Sequence, residues 1–219
     1  MGEKKRKAAR GWHYELVRPV VIIGNPGSGK STTGRKLAEA VGAEDIDTDP
    51  IIEAEHDGKP LQTIADELGY EKFIATECAI VMRTYAEHSK PVVKPKVWMP
   101  KVWEPGGSLV RSPEAIELMK NGGPNHEENR KAVFAYLRED LRTVLEAIDR
   151  RPNRGIVRKP PNDLVQELTE RIFLFEKYAD FTIYVRGDRH RAAKELFRVL
   201  LANGVIRKVV DKKHKHKHH

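Results

Sequence analysis

At 219 residues the chain is long enough to bury a full hydrophobic core as one domain, and nothing in its length calls for a second. It has no run of eighteen apolar residues, and its basic start, MGEKKRKAARGW, has no apolar segment behind it. Neither a membrane span nor a secretory leader is therefore expected, and the chain reads as cytoplasmic. Cys78 is the sole cysteine, which excludes an internal disulfide and a cysteine-based zinc site; with Ile80 and Val81 beside it, it reads as a structural thiol.

The formal net charge of +8 would suggest a nucleic-acid partner if it lay on a folded surface. It lies instead at the two ends. Residues 1–10 carry five cations against Glu3, and residues 207–219 carry six against Asp211, which leaves the middle slightly acidic. Such ends read as solvated extensions, and the four histidines among the last six residues resemble an affinity or solubilising tag. No nucleic-acid or membrane partner is expected. The predicted division is a basic extension over 1–16, a single domain over 17–206 and a basic His-rich tail over 207–219.

Within the domain, short apolar runs alternate with helical periodicity. Strands are predicted over Pro19–Ile23, Glu44–Asp47, Pro91–Val93, Lys131–Leu137 and Phe181–Val185. Helices are predicted over Lys30–Val41, Leu61–Leu68, Glu71–His88, Pro113–Lys120, Leu141–Asp149, Asp163–Tyr178 and Arg189–Asn203, with Gly69 separating the second from the third. This βαβ alternation predicts an α/β domain, a parallel β-sheet flanked by helices on both faces, with ligands gathering at the carboxyl edge of the strands. The stretch 94–105, KPKVWMPKVWEP, carries three prolines and reads as an insertion: a loop or short hairpin, with Trp98 and Trp103 packed as a flap or presented to a partner.

Two segments carry chemistry. Gly24 to Ser31 reads GNPGSGKS and fits G-x-x-x-x-G-K-S/T between an apolar strand and a helix. Gly24, Gly27 and Gly29 let successive backbone N–H groups turn inward, with Ser28 and Thr32 beside them. The following helix adds its positive end, Lys30 adds a point charge for the outer phosphates, and the Ser31 hydroxyl suits magnesium. Downstream, Asp45-Ile46-Asp47-Thr48-Asp49 ends the second predicted strand. Asp47 and Asp49 can share one cleft there, one toward a hydrated metal and one toward a substrate hydroxyl; the plainer alternative is that Asp49 caps the helix beginning near Pro50.

Set in order, seven blocks resemble the shikimate kinase family of small P-loop phosphotransferases, from about Arg18 to Val185. They are GNPGSGKST at 24–32, DIDTDPIIE at 45–53, G-x-x-L-Q-T-I-x-x-x-x-G at 58–69, Phe73 with Glu77, GGSLVRSPEAIELM at 106–119, NRGIV at 153–157 and R-x-x-L-F-E-K-Y-A-D at 171–180. The resemblance implies a P-loop kinase fold with a lid over about 150–162. It also implies ATP and Mg2+ as donor and metal, and Mg-assisted in-line transfer to a hydroxyl of a small acidic metabolite, shikimate first. By that resemblance Lys30, Asp49 and Arg154 are catalytic, and Gly24, Gly27, Ser28, Gly29, Lys30, Ser31 and Thr32 hold the nucleotide. Ser31 and Asp47 serve the metal, and Asp49, Gly106, Gly107 and Arg171 the acceptor. A monomer is expected.

The chain departs from the family at Ile74, where an arginine of the carboxylate clamp is usual, with Arg111 and Arg83 as candidate substitutes. It departs again at Ser108, which replaces the third of three glycines, and in the insertion just before that loop. A kinase of another small alcohol or of a nucleoside monophosphate, and a nucleotide-binding module without catalysis, stay open at this level.

Overall fold

The structure is a computed structural model, and it describes residues 12–88, 99–151 and 155–210. Five parallel strands form the central sheet: β2 (Val20–Ile23), β3 (Asp45–Asp47), β4 (Val102–Glu104), β5 (Val133–Arg138) and β6 (Phe181–Tyr184), in the order β3-β4-β2-β5-β6. The wholly buried runs VVII of β2 and VFAYL of β5 are what a parallel sheet covered on both faces requires.

On one face, α1 (Lys30–Val41) and α7 (Arg189–Ala202) bury Leu37, Val41, Leu196 and Leu200 against Val20, Ile22, Ala135 and Ile183. On the other, α3 (Leu61–His88), α4 (Pro113–Lys120) and α6 (Leu164–Tyr178) enclose Val21, Ile23, Phe134 and Tyr136 with Tyr85, Ile116 and Phe175. A short α2 (Asp49–Glu55) and α5 (Leu141–Asp149) complete the layers. Gly69 interrupts α3 at φ 72° and ψ 177°, where the glycine predicted a break. The expected α/β architecture with helices on both faces is present.

Three expectations are corrected. The first concerns the 94–105 insertion. Its described part is not a flap: Val102–Glu104 is β4, a central strand paired with β2 and β3, and Trp103 is 2% exposed in the core against Tyr85. Pro100 and Pro105 fall just outside this three-residue strand, so no ladder donor is lost and the proline argument against a strand does not apply. Trp98 and the predicted strand Pro91–Val93 lie outside the described residues.

The other two corrections concern the ends of the chain, where β1 (Trp12–Leu16) pairs antiparallel with β7 (Ile206–Val210). Residues 12–16 and 207–210, assigned to the extensions, thus form sheet. Leu16 and Ile206 enter the core, Tyr14 meets Phe197 edge-on at 5.0 Å, and Glu15 pairs with Arg207 across the ladder on the wet face. No helix among the described residues is long and apolar enough to cross a membrane.

Candidate active site

The carboxyl ends of β2, β3 and β4 open on a cavity of about 370 Å³. From the loop between β2 and α1 it is lined by Pro26, Gly27, Gly29, Lys30, Ser31 and Thr32; from β3 and α2 by Asp47, Asp49 and Glu53; from the segment after β4 by Gly106, Gly107 and Ser108. The phosphate-loop residues, both aspartates and the glycine turn therefore meet in one place, as the sequence anticipated. Gly24 lies behind the loop, where its carbonyl accepts a hydrogen bond from Lys30 Nζ at 2.9 Å.

Gly29 caps α1 in the left-handed region at φ 95°, and a Cβ there would stand 2.8 Å from Arg189 Cγ, so glycine satisfies both the turn and the close approach. The first turn of α1 carries no acidic residue of its own and its N-cap makes no side-chain hydrogen bond, so its N–H groups are left to the cavity. Ser28 Oγ and Asn25 Oδ1 are buried in this loop without hydrogen-bond partners among the described residues.

Asp47 Oδ1 accepts from the Asp49 N–H at 3.1 Å, so Asp47 rather than Asp49 supplies the polar contact at the start of α2, whose N-cap residue is Thr48. The capping alternative for Asp49 is thereby excluded, and its carboxylate is left to the cavity. Burial, reinforced by Asp47, Glu77 and Glu53 and opposed by Lys30, pushes Asp49 up to about 7. Asp47 is raised as well, chiefly by burial.

Beside the Gly106-Gly107 turn lies a carboxylate that the motif reading left without a role. Glu77 is 1% exposed, and its side chain is seated so close to Gly106 that a Cβ on that glycine would overlap it. Burial raises Glu77, and the Ser108 hydroxyl, itself buried, draws it back down. Ser108 thus does not project into open space; it supports Glu77. Ile74 packs half-buried against the cluster of Ile52, Leu61, Ile64 and Phe73 and is not part of the cavity wall.

Arg171 is almost wholly buried behind the glycine turn. It donates to Glu167 Oε1 at 2.7 Å through Nε and to the Val157 carbonyl at 2.7 Å through Nη2, and a Cβ on Gly107 would stand 3.5 Å from Nη1. Arg111 shares Glu167 at 2.9 Å and also reaches Glu170 at 2.8 Å. Of the two candidate substitutes, Arg111 therefore stands beside Arg171, while Arg83 is engaged with Glu55 at the surface. Neither Arg171 nor Arg111 lines the cavity. Arg154 lies outside the described residues; its flanks Arg151 and Gly155 both line the cavity. The described part of the expected lid is anchored: Ile156 N donates to Gln62 Oε1 at 3.0 Å and Lys159 N to Glu167 Oε2 at 3.1 Å.

The sequence reading missed Arg35, Arg151, Arg189 and Glu104 in the cavity wall. Arg189 Nη2 donates to the Gly27 carbonyl at 3.2 Å. Its signal was positional, since it opens a helix just beyond the carboxyl end of β6. Glu104 ends β4 and is 2% exposed; burial, then Asp45 and Asp47, push it up to about 8.

Comparison with known proteins agrees with this geometry. The family model described as shikimate kinase matches residues 26–201. A shikimate kinase of Caulobacter vibrioides is 30% identical over 181 residues, covering 81% of this chain and 79% of the relative, and one of Halorhodospira halophila is 28% identical over 182 residues, covering 82% and 91%. Among solved structures, a shikimate kinase from Acinetobacter baumannii in complex with shikimate superposes with a TM-score of 0.65 at 22% identity, covering 86% of this chain and 96% of that one; it supports the fold. The chain belongs to the shikimate kinase family of ATP-dependent kinases.

Proposed function

We propose that this chain transfers the γ-phosphoryl group of ATP to a hydroxyl of shikimate, with magnesium as the metal. The observation that carries this reading is the meeting of the phosphate loop, Asp47, Asp49 and the Gly106-Gly107 turn in one cavity, in a chain of this family. The donor set fits: backbone N–H groups and Lys30 suit polyphosphate, and hydroxyl and carboxylate oxygens suit a hard divalent cation. Among the described residues no cluster of three or more His, Cys, Asp or Glu side chains is poised to hold a metal alone. Magnesium is commonly held through one or two carboxylates beside substrate phosphates and water. When bound, it would neutralise charge on the phosphate oxygens.

Each residue then has one task. The loop of Gly24, Gly27, Ser28, Gly29 and Thr32 holds the triphosphate, Lys30 meets its outer oxygens, and Ser31 and Asp47 serve the metal. Asp49, held near neutrality by burial, receives the proton of the acceptor hydroxyl. Gly106 and Gly107 let the acceptor ring approach the backbone, and Arg171, which Glu167 holds behind Gly107 with Arg111 alongside and outside the cavity wall, turns toward the cavity to take its carboxylate. Arg154, by the family resemblance, meets the charge that develops on the transferred group. Lid and loop together exclude water that would otherwise compete as acceptor.

The test is ADP release by purified protein with Mg-ATP and a panel of acceptors, including quinate, gluconate and nucleoside monophosphates. The reading predicts turnover with shikimate above all others. Equal or greater turnover with any other acceptor would replace the substrate assignment.

A further inference from the structure

Three carboxylates approach the phosphate-loop helix from below. In the parallel pair β3 and β4, Asp45 and Asp47 alternate with Ile46, which enters the core of the opposite face, so both aspartates turn toward α1. Glu104 is the register partner of Asp47 and follows the same alternation after Trp103. Its carboxylate lies against α1 at Gly34, where a Cβ would overlap it; the glycine leaves the slot through which Glu104 reaches the first turn of the helix.

Glu104 is 2% exposed, and among the described residues neither of its carboxylate oxygens, nor Asp45 Oδ1, meets a partner at full hydrogen-bond distance and angle. Asp45 and Ser31 stand beside it, near enough to interact with its carboxylate. A buried carboxyl group facing two more is costly to ionise, and among the described residues no ion pair offsets that cost, which something positive would do by completing the set. Yet Glu104 is also part of the wall of the cavity, on the side of Ser31 and Asp47. A strand-end acid next to the phosphate-loop strand, opposite the loop's hydroxyl, is where P-loop NTPases place a metal-holding carboxylate.

We infer that Glu104 completes the magnesium site with Ser31 and Asp47, giving this chain a strand-end carboxylate at the metal. The inference rests on the nucleotide and magnesium part of the proposed function and not on the identity of the acceptor. Asp47, one of whose oxygens is occupied by the start of α2, is a poor sole carboxylate for the task, and Glu104 supplies the second.

The test is the affinity of ADP, measured by isothermal titration calorimetry in EDTA and in excess MgCl2, for the full chain and for Glu104→Gln, without acceptor. The wild-type chain is expected to bind ADP more tightly with magnesium. In Glu104→Gln that magnesium-dependent gain should fall by about tenfold or more, the size of loss seen when a metal-site partner is removed, while the affinity in EDTA stays within about twofold. An undiminished gain, or an equal loss in EDTA and in magnesium, would overturn the assignment, the second result marking Glu104 as a support of the loop. If circular dichroism shows that the glutamine variant does not fold, Glu104→Ala, which removes the buried charge with less bulk, is read against the same criteria. Absence of any magnesium effect in the wild-type chain would overturn the magnesium reading itself, and this inference with it.

Discussion

Glu167 looks in the sequence like one more helical surface charge, yet it is 0% exposed and gathers Arg171 and Arg111 onto one carboxylate. Its carboxylate receives Arg171 Nε at 2.7 Å, Arg111 Nη2 at 2.9 Å and the Lys159 N–H at 3.1 Å. Burial alone would raise it, but Arg171, the Lys159 N–H and Arg111 together hold it below its ordinary value. Glu167→Gln keeps the shape and removes the charge, leaving two guanidinium groups without their shared counter-ion. Breaking a buried pair from one side costs about 3–5 kcal/mol. Because Gln still accepts one hydrogen bond, about 3 kcal/mol is expected, a fall of about 6–12 °C in melting temperature for a chain of this size. The group is depressed in the fold, so its stabilisation is complete above the unfolded carboxylate range and is lost as pH falls through the folded value. The gap between wild type and variant is therefore full at pH 7 and closes below about pH 4. In assays the acceptor KM should rise more than kcat falls, since Arg171 loses its placement and the phosphate loop is untouched. A variant within 1 kcal/mol of wild type at pH 7, or a gap independent of pH, would refute the argument.

Asp49→Asn is expected to abolish turnover and, in EDTA without nucleotide, to raise the melting temperature by several degrees at pH 8 and not at pH 4. The buried carboxylate opposes folding progressively from its unfolded range near pH 4 upward and fully only above its raised value of about 7, and calorimetry at the two pH values decides. Trp103→Ala should cost about 3–5 kcal/mol by chemical denaturation, as for a core tryptophan, whereas a surface flap would lose under about 1 kcal/mol. Arg189→Ala, which removes the guanidinium resting on Gly29 and Gly27, should weaken ATP binding by about tenfold and leave the acceptor KM unchanged; an equal effect on both substrates would place Arg189 elsewhere in the cycle.

What could be read from the chain was chemistry held in contiguous residues. The phosphate loop and the Asp47-Asp49 pair announce themselves because backbone turn, helix start and carboxylate spacing are local properties, and the long helices follow from their periodicity. The corrections fall where tertiary context overrides a local signal. β4 is three residues long and lies between prolines, so its proline-rich surroundings hid both a central strand and Glu104 at its end. Basic residues at the chain ends masked β1 and β7, whose inward positions, Tyr14, Leu16 and Ile206, alternate with charges. Glu167 reads as solvated until two arginines from different elements converge on it. Ser108 read only as a departure from the third glycine, because its partner Glu77 lies thirty-one residues earlier.

The central claim is a phosphoryl transfer from ATP to shikimate, and it is tested most directly by phosphorus NMR of purified protein incubated with Mg-ATP and shikimate. The account predicts a new phosphomonoester resonance that grows in step with ADP, and its absence when Asp49→Asn protein is used. ATP bound by an intact fold, with no phosphomonoester formed from shikimate, would contradict it.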